Sequence, residues 1–217
     1  MENDVKEFLS ELLKQLKSID YIKPEDIPNI DLYMDQVTTF MDEQLAASKR
    51  YESDKILTKT MINNYAKNNL LPSPDKKKYS KEHVLTLLFI YYFKNILSIN
   101  DIRSILNPLT EKYFGNDDGF TMQDVYTEVF SLEAEESQKL LKDLGKKYKI
   151  AGETFEDFPD EDQKFLHTFS FICMLSFDVY IKKMLIERMI DNLNEEKEAS
   201  SRENTHSGKE SKKTGSN

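Results

Sequence analysis

Hydrophobic residues recur every three or four positions along most of the chain, the spacing that places them on one face of an α-helix. A first segment of this kind spans about residues 2–18. A second runs from about residue 29 to residue 45, with Ile30 and Tyr33 among its inward positions. A third, from about residue 58 to residue 68, stops before a turn that contains prolines. No stretch alternates in the manner of a long strand, so the pattern predicts an all-α fold.

The segment from Val84 to Phe93 is apolar on nearly every side. A helix of this kind is usually buried all round, so we expect it to be the central helix of the fold. Ser80 stands where its N-cap residue is expected.

Two more helix starts are marked by capping-box spacing, Ser98 with Asp101 and Thr121 with Asp124. Pro108 is expected to end the helix that Ser98 begins.

The Gly-, Asn- and Asp-rich stretch 115–119 is the predicted boundary between two regions. We expect residues 1–114 to hold the N-terminal helices and a helix-turn-helix, and residues 120–196 to form a helical dimerisation or sensing region. A long helix from Pro159 would complete that second region. The polar tail 197–217 is rich in Ser and Lys and is expected to be disordered.

The C-terminal helix carries apolar residues on more than one face between Phe165 and Ile190. Either the N-terminal amphipathic helix packs on it within one chain, or it forms a dimer interface. Its richest part, 165–181, predicts a buried helix because it is too short for a membrane span. Cys173 is then a small apolar filler or, alternatively, a redox-sensing thiol.

Composition narrows the function classes. A single cysteine excludes an internal disulfide and a multi-cysteine metal site, and it is typical of the cytoplasm. No signal peptide, metal-binding spacing, glycine-rich phosphate loop or nucleophile elbow is visible, so we expect a non-enzymatic protein without a cofactor.

The charge of the chain is unevenly distributed. The net charge is −9, yet residues 49–83 carry nine basic and four acidic side chains, a local excess of +5. Such segregation is typical of a nucleic-acid site confined to one part of an acidic protein, because lysines at phosphates release counterions.

A polar stripe follows the third helix at the spacing i, i+3, i+4, i+7, and every member can donate a hydrogen bond: Thr60, Asn63, Asn64 and Lys67. Asn can pair with adenine, Thr can contact a thymine methyl group, and Lys can reach guanine or phosphate. The alternative is an ordinary solvent-facing side of a surface helix. The lysine run 76–78, directly after the following turn, favours the first interpretation.

The run from Leu57 to Leu106 resembles the winged helix-turn-helix of MerR-type regulators. The similar features are a Thr-led helix with a tyrosine, Leu-Leu-Pro, a basic segment ending in Tyr-Ser, an apolar helix, and an Ile-led helix: Thr60, Met61, Ile62, Tyr65, Leu70, Leu71, Pro72, Tyr79, Ser80, Ile99, Ile102 and Leu106. The resemblance implies a small wing, a recognition helix in the major groove, Tyr65 against the phosphate backbone, and a homodimer through the C-terminal helix. The wider arrangement resembles a family of Gram-positive bacterial proteins of unknown function.

The sequence therefore predicts a cytoplasmic, sequence-specific DNA-binding transcriptional regulator, with double-stranded DNA as its partner. Base contacts are expected from Thr60, Asn63, Asn64 and Lys67, and phosphate contacts from Lys59, Tyr65, Lys76, Lys77, Lys78 and Tyr79. The alternative is a helical protein-interaction module that has lost DNA binding and uses its basic face for an acidic partner. The acidic net charge favours this alternative, as does the lack of the arginine found in the MerR recognition helix.

Overall fold

A computed structural model of the protein describes residues 22–116 and 119–210. Within these ranges the chain forms six α-helices, namely α1 Met34–Gln44, α2 Lys59–Lys67, α3 Lys81–Phe93, α4 Ile99–Tyr113, α5 Met122–Gly152 and α6 Asp160–Glu210. Two short strands, β1 Leu32–Tyr33 and β2 Lys78–Tyr79, form an antiparallel pair. The prediction of a mostly helical fold with a long C-terminal helix is confirmed. The helix predicted over residues 2–18 lies outside the described residues.

The three predicted helix starts are confirmed. At each one, the side chain of the N-cap residue and the side chain three residues later accept hydrogen bonds from each other's backbone N–H. Ser98 Oγ accepts a hydrogen bond from Asp101 N–H at 3.2 Å, and the Asp101 carboxylate accepts one from Ser98 N–H at 3.2 Å. Thr121 and Asp124 repeat this arrangement at the start of α5. Ser80 is the N-cap of α3, where His83 takes the place of the usual acidic residue.

Helix α3 is the centre of the core, as predicted. Every residue from His83 to Tyr91 is buried, and the first turns of α5 pack on it, with the Tyr126 and Phe130 rings 5.5 and 5.7 Å from that of Phe89. The Tyr126 hydroxyl also donates to the Ile22 carbonyl at 2.8 Å. The start of α5 therefore packs on the same core as α3, across the predicted boundary at 115–119.

The start of α1 differs from the prediction. Residue 33 is extended, and its N–H donates to Gln36 Oε1 at 2.8 Å, so the helix begins at Met34 and not near residue 29. Ile30 and Tyr33, predicted to face inward, are exposed. The pairing of Tyr33 with Lys78 in the two-stranded sheet holds this segment in a strand conformation.

Helix α4 continues through Pro108 to Tyr113, so the prediction that this proline ends the helix is wrong. A proline within a helix leaves the carbonyl four residues earlier without its usual N–H donor. That carbonyl belongs to Ser104, and it accepts a hydrogen bond from Lys197 Nζ at 2.9 Å. A contact from the C-terminal helix thus supplies the donor that proline removes.

The same contact lies at the start of the tail that is predicted to be disordered, residues 197–217. Helix α6 does not end near Glu196 but extends to Glu210, and Lys197 anchors this continuation to α4. Residues 211–217 lie outside the described ranges.

Helices α5 and α6 form an antiparallel pair. The Tyr148 and Phe171 rings lie 5.2 Å apart, His167 Nε2 is 2.8 Å from the Thr154 carbonyl oxygen, and Lys147 forms ion pairs with Asp143 and Asp178. Only one side of α6 faces α5, so most apolar residues between 165 and 181 are exposed, contrary to the prediction of a buried helix. Cys173 is exposed as well and is not an apolar filler. None of the helices in the described ranges has the length and hydropathy to cross a membrane.

Buried His83 at the N-terminal cap of α3 should make the free energy of unfolding depend on pH. His83 Nδ1 accepts the Ser80 N–H at 3.0 Å, and burial lowers the pKa of this imidazole. The unfolded chain, where histidine has a pKa of about 6.5, then binds a proton more readily than the folded chain. We expect the free energy of unfolding to be highest above that pH and to fall as the pH drops below it, down to the folded-state pKa.

His83→Gln keeps a side-chain acceptor for the cap but cannot titrate. Urea unfolding between pH 8 and pH 5 should show a smaller loss of stability in this variant than in the unaltered protein. Parallel losses in the two proteins would contradict the assignment to His83.

Candidate nucleic-acid interface

Helix α2 presents a polar side to solvent because its other side is anchored in the core. Thr58 is its N-cap, with Oγ1 accepting the Met61 N–H at 3.2 Å. Ile62 and Tyr65 are buried, which sets the rotation of the helix about its axis.

The linker that leads into α2 is tied by two contacts to the C-terminal end of α3. The Ser48 and Tyr91 hydroxyls lie 2.5 Å apart, and Lys94 Nζ donates to the Ile56 carbonyl at 2.7 Å. Burial lowers the pKa of Lys94, and its ammonium group also lies 4.7 Å from the centre of the Tyr91 ring. These contacts hold the linker between α1 and α2, and with it the start of α2, against the core.

The polar stripe predicted from the sequence is exposed along its whole length. Thr60, Asn63, Asn64 and Lys67 are all solvent-facing. Their side chains make no hydrogen bond or ion pair to any residue that the structure describes. The donors of this stripe are therefore available to a ligand.

The lysine run forms a tight turn of four residues from Asp75 to Lys78. The Lys78 N–H donates to the Asp75 carbonyl at 2.8 Å, and Lys76 and Lys77 have φ angles of 47° and 66°. Two successive positive φ values define a type I′ turn, the connection typical of a hairpin. A single bridge joins Asp75 and Lys78 across this turn, and the strand that follows it, β2, pairs with β1 from before α1.

The start of α2 and the lysine turn meet around the N-terminus of α1. The Lys59 ammonium pairs with the Asp35 carboxylate, and the Lys78 ammonium lies 5.4 Å from the centre of the Tyr33 ring. Residues two positions apart have Cα atoms within about 7.6 Å of each other. Lys59 at the start of α2 and Lys78 at the end of the turn are therefore neighbours on the surface.

Acidic residues of α1 neutralise part of the basic segment. Asp42 accepts a hydrogen bond from Lys49 at 2.7 Å, which lowers the pKa of this carboxyl group, and Asp35 pairs with Lys59. Lys67, Lys76 and Lys77 form no ion pair within the described ranges. The uncompensated positive charge thus lies at the end of α2 and in the turn, and Lys59 reaches a phosphate only by exchanging its carboxylate partner, a surface pair worth about 0–1 kcal/mol.

Two expected phosphate ligands are core residues. Only 6% of Tyr65 and 3% of Tyr79 is exposed, and burial raises the pKa of both phenols. The Tyr79 ring packs edge-on against His83, 5.5 Å away. Both tyrosines therefore pack mainly in the core beneath α2 and β2, and little of either side chain is accessible to a phosphate.

The structure adds Tyr33 and Asp35 to this surface, which the sequence analysis did not identify. They reach it through the pairing of β1 with β2, between residues 45 positions apart in the chain. An exposed tyrosine followed by a carboxylate has no local pattern that would have revealed this position.

A groove also lies next to this surface. An open groove of about 410 Å³ lies between α1 and the start of α2, and its lining mixes both charges: Thr38, Thr39, Asp42, Glu43, Lys55 and Lys59. In the part of the chain that the structure describes, no group of three or more His, Cys, Asp and Glu side chains could hold a metal ion.

Residues 22–129 match the family model of a domain of unknown function, DUF1836. This match covers β1, the four helices α1 to α4, the lysine turn and the first turns of α5. No curated protein and no solved structure gives a significant match to the chain.

The positive φ angles of Lys76 and Lys77 predict how glycine at these positions changes the stability of the fold. A left-handed conformation costs a non-glycine residue about 1–2 kcal/mol, and the greater freedom of glycine in the unfolded chain offsets about 0.4–1 kcal/mol of the gain. Lys76→Gly or Lys77→Gly should therefore leave the free energy of unfolding unchanged or raise it by up to about 1.6 kcal/mol. Lys78→Gly, in strand β2, is the matched control and should lower it. A loss of stability in the first two variants equal to that of the control would contradict the turn geometry.

Proposed function

We propose that the DUF1836 region binds double-stranded DNA and that the chain acts as a sequence-specific transcriptional regulator of the helix-turn-helix type. The observation that carries this proposal is the exposed stripe of unsatisfied donors on α2, next to a hairpin of unpaired lysines. A surface of this kind fits a ligand with hydrogen-bonding base edges flanked by phosphates.

Helix α2 is the recognition helix in this proposal, because an α-helix fits the major groove and its exposed stripe would face the bases. Asn63 and Asn64 can each pair with an adenine through two hydrogen bonds. Thr60 and Lys67 lie one turn to either side and would contact a thymine methyl group and a guanine, respectively. Buried Ile62 and Tyr65 keep the helix at a constant rotation against the core.

The lysine turn would sit on the phosphate backbone beside the groove. Lys76 and Lys77 are exposed at its tip, and Lys78 stands at the start of β2. Their contribution is independent of base sequence, since each lysine at a phosphate releases condensed counterions. The acidic remainder of the chain would limit binding at sites where the stripe finds no matching bases.

An acidic protein partner is the competing explanation for the same basic surface. It would use the charges of the turn without needing the amide groups of α2. The two explanations therefore differ in whether Asn63 and Asn64 affect binding and in whether a duplex binds at all.

Charge reversal in the turn tests the electrostatic part. Lys76→Glu with Lys77→Glu should weaken binding to every duplex, because two phosphate contacts are replaced by repulsion. The slope of log K against log salt should decrease by about 2, at about 0.9 for each lost contact. Fluorescence anisotropy over a series of salt concentrations measures this slope. Lys146→Glu with Lys149→Glu, both exposed on α5, is the matched control and should leave the slope near its original value.

Sequence discrimination tests the recognition helix. Duplexes selected from a random library should give a preferred site, and Asn63→Ala or Asn64→Ala should reduce the preference for it by about 1–3 kcal/mol, about 5- to 150-fold. Asn192→Ala, exposed on α6, should have no effect. If the unaltered protein binds no duplex in a salt-sensitive manner, the DNA proposal fails and the acidic-partner explanation takes its place.

A further inference from the structure

A continuous apolar face runs along α6 at a spacing of three to five residues. We call it the α6 apolar face; its members are Phe165, Phe169, Ile172, Phe177, Tyr180 and Met184. All are exposed, with 70% of Phe165, 64% of Phe177 and 62% of Tyr180 in contact with solvent. Monomeric proteins rarely leave so many aromatic rings in one exposed row.

This face is directed away from the helix that packs on α6. Three residues of α6 that contact α5 or the turn directly after it are His167, Phe171 and Asp178. Phe165 and Phe169 precede the first two of these by two positions, a rotation of about 200° around a helix. The two stripes are therefore on opposite sides, and no described element covers the α6 apolar face.

The exposed area is of the size that a protein interface needs. An aromatic side chain can bury about 150–250 Å², so the four rings, each more than half exposed, present on the order of 500 Å². Ile172 and Met184 add to this area. A standard interface buries about 800 Å² on each partner, so a second helix laid along the face would account for most of one side.

Charged residues at the two ends of this face have opposite signs. Glu161 and Asp162 precede it, while Lys183 lies near its end and Arg188 follows it. Lys183 forms an ion pair with Glu187, so Arg188 is the basic side chain of this end that has no carboxylate partner among the described residues. Between Phe165 and Ile181 the only charged residue is Asp178, which pairs with Lys147 of α5. Lys164 and Lys182 are separated by five whole turns and share the side away from the face.

We propose that the α6 apolar face binds the same face of a second copy of this chain, with the two α6 helices antiparallel and the twofold axis close to Cys173. The midpoint between the acidic and basic pairs falls at this residue, and so does the midpoint of the segment Phe165–Ile181. A closed twofold dimer uses one self-complementary patch on both copies. A parallel arrangement would place like charges together at both ends.

This arrangement makes specific contacts. At the stated axis, Phe169 of one copy meets Phe177 of the other, and Phe165 meets Ile181. Cys173 meets Cys173 of the second copy, because residues at the level of a twofold axis face their own equivalents. Packed helices have axes about 8–10 Å apart, which brings two cysteines on facing sides within reach of a disulfide. The inference is independent of DNA binding, since none of these residues lies in α2 or the lysine turn.

The oligomeric state of the full chain is the first test. Sedimentation velocity over a range of concentrations should show a dimer. Phe169→Glu and Phe177→Glu should each raise the dissociation constant by about tenfold or more, because a charge would be buried at the centre of the interface. Phe120→Glu, at an exposed position outside α6, is the matched control and should dimerise normally. Circular dichroism checks that each variant keeps its helices.

The position of the axis is tested by the single cysteine. Mild oxidation of the unaltered protein should convert the dimer to a disulfide-linked species, while Cys173→Ser should remain a dimer that does not crosslink. Reversing one end, by Glu161→Lys with Asp162→Lys or by Lys183→Glu with Arg188→Glu, should weaken the dimer. Combining the two reversals should restore it.

A chain that is monomeric at every concentration overturns the proposal. A dimer that persists with Phe169→Glu and Phe177→Glu also overturns it. So does a dimer that does not crosslink through Cys173, or one that the combined charge reversal fails to restore.

Discussion

The complete burial of α3 is the constraint on which the rest of the structure depends. A helix that is apolar on all sides must be covered on all sides, and α1, α4 and the start of α5 contribute to the core that encloses it. Its two ends then position the two halves of the proposed interface. At the N-terminal end, Ser80 and His83 stand directly behind the lysine turn and β2. At the C-terminal end, Tyr91 and Lys94 hold the linker that leads into α2.

The proposed interface is thus assembled from parts that are stable for different reasons. Buried Ile62 and Tyr65 fix the rotation of α2 about its axis. The lysine turn has two residues in a conformation that non-glycine side chains disfavour, and the pairing of β2 with β1 supports it. The acidic residues of α1 draw Lys49 and Lys59 into ion pairs, so the local excess of positive charge in the sequence is larger than the charge available at the surface.

The α5–α6 pair illustrates a limit of hydrophobic patterning. An apolar segment of this width predicts burial, yet within the described residues only one stripe of it is covered. Periodicity gives the number and direction of apolar faces on a helix, but it contains no information on which molecule covers each one. The same limit explains why the exposure of Cys173 and the continuation of α6 along α4 were not foreseen.

The sequence by itself determined the features that depend on residues three or four positions apart. Caps at Ser80, Ser98 and Thr121, the polar side of α2 and the central position of α3 are of this kind, because helix caps and helix faces are formed by near neighbours in the chain. Only the tertiary structure decided what depends on distant segments meeting. The pairing of Tyr33 with Lys78, the passage of α4 through Pro108 with Lys197 supplying the missing donor, and the burial of Tyr65 and Tyr79 all belong to this second group. Such contacts join residues tens to about a hundred positions apart, and their energy depends on where whole elements pack, which no local spacing records.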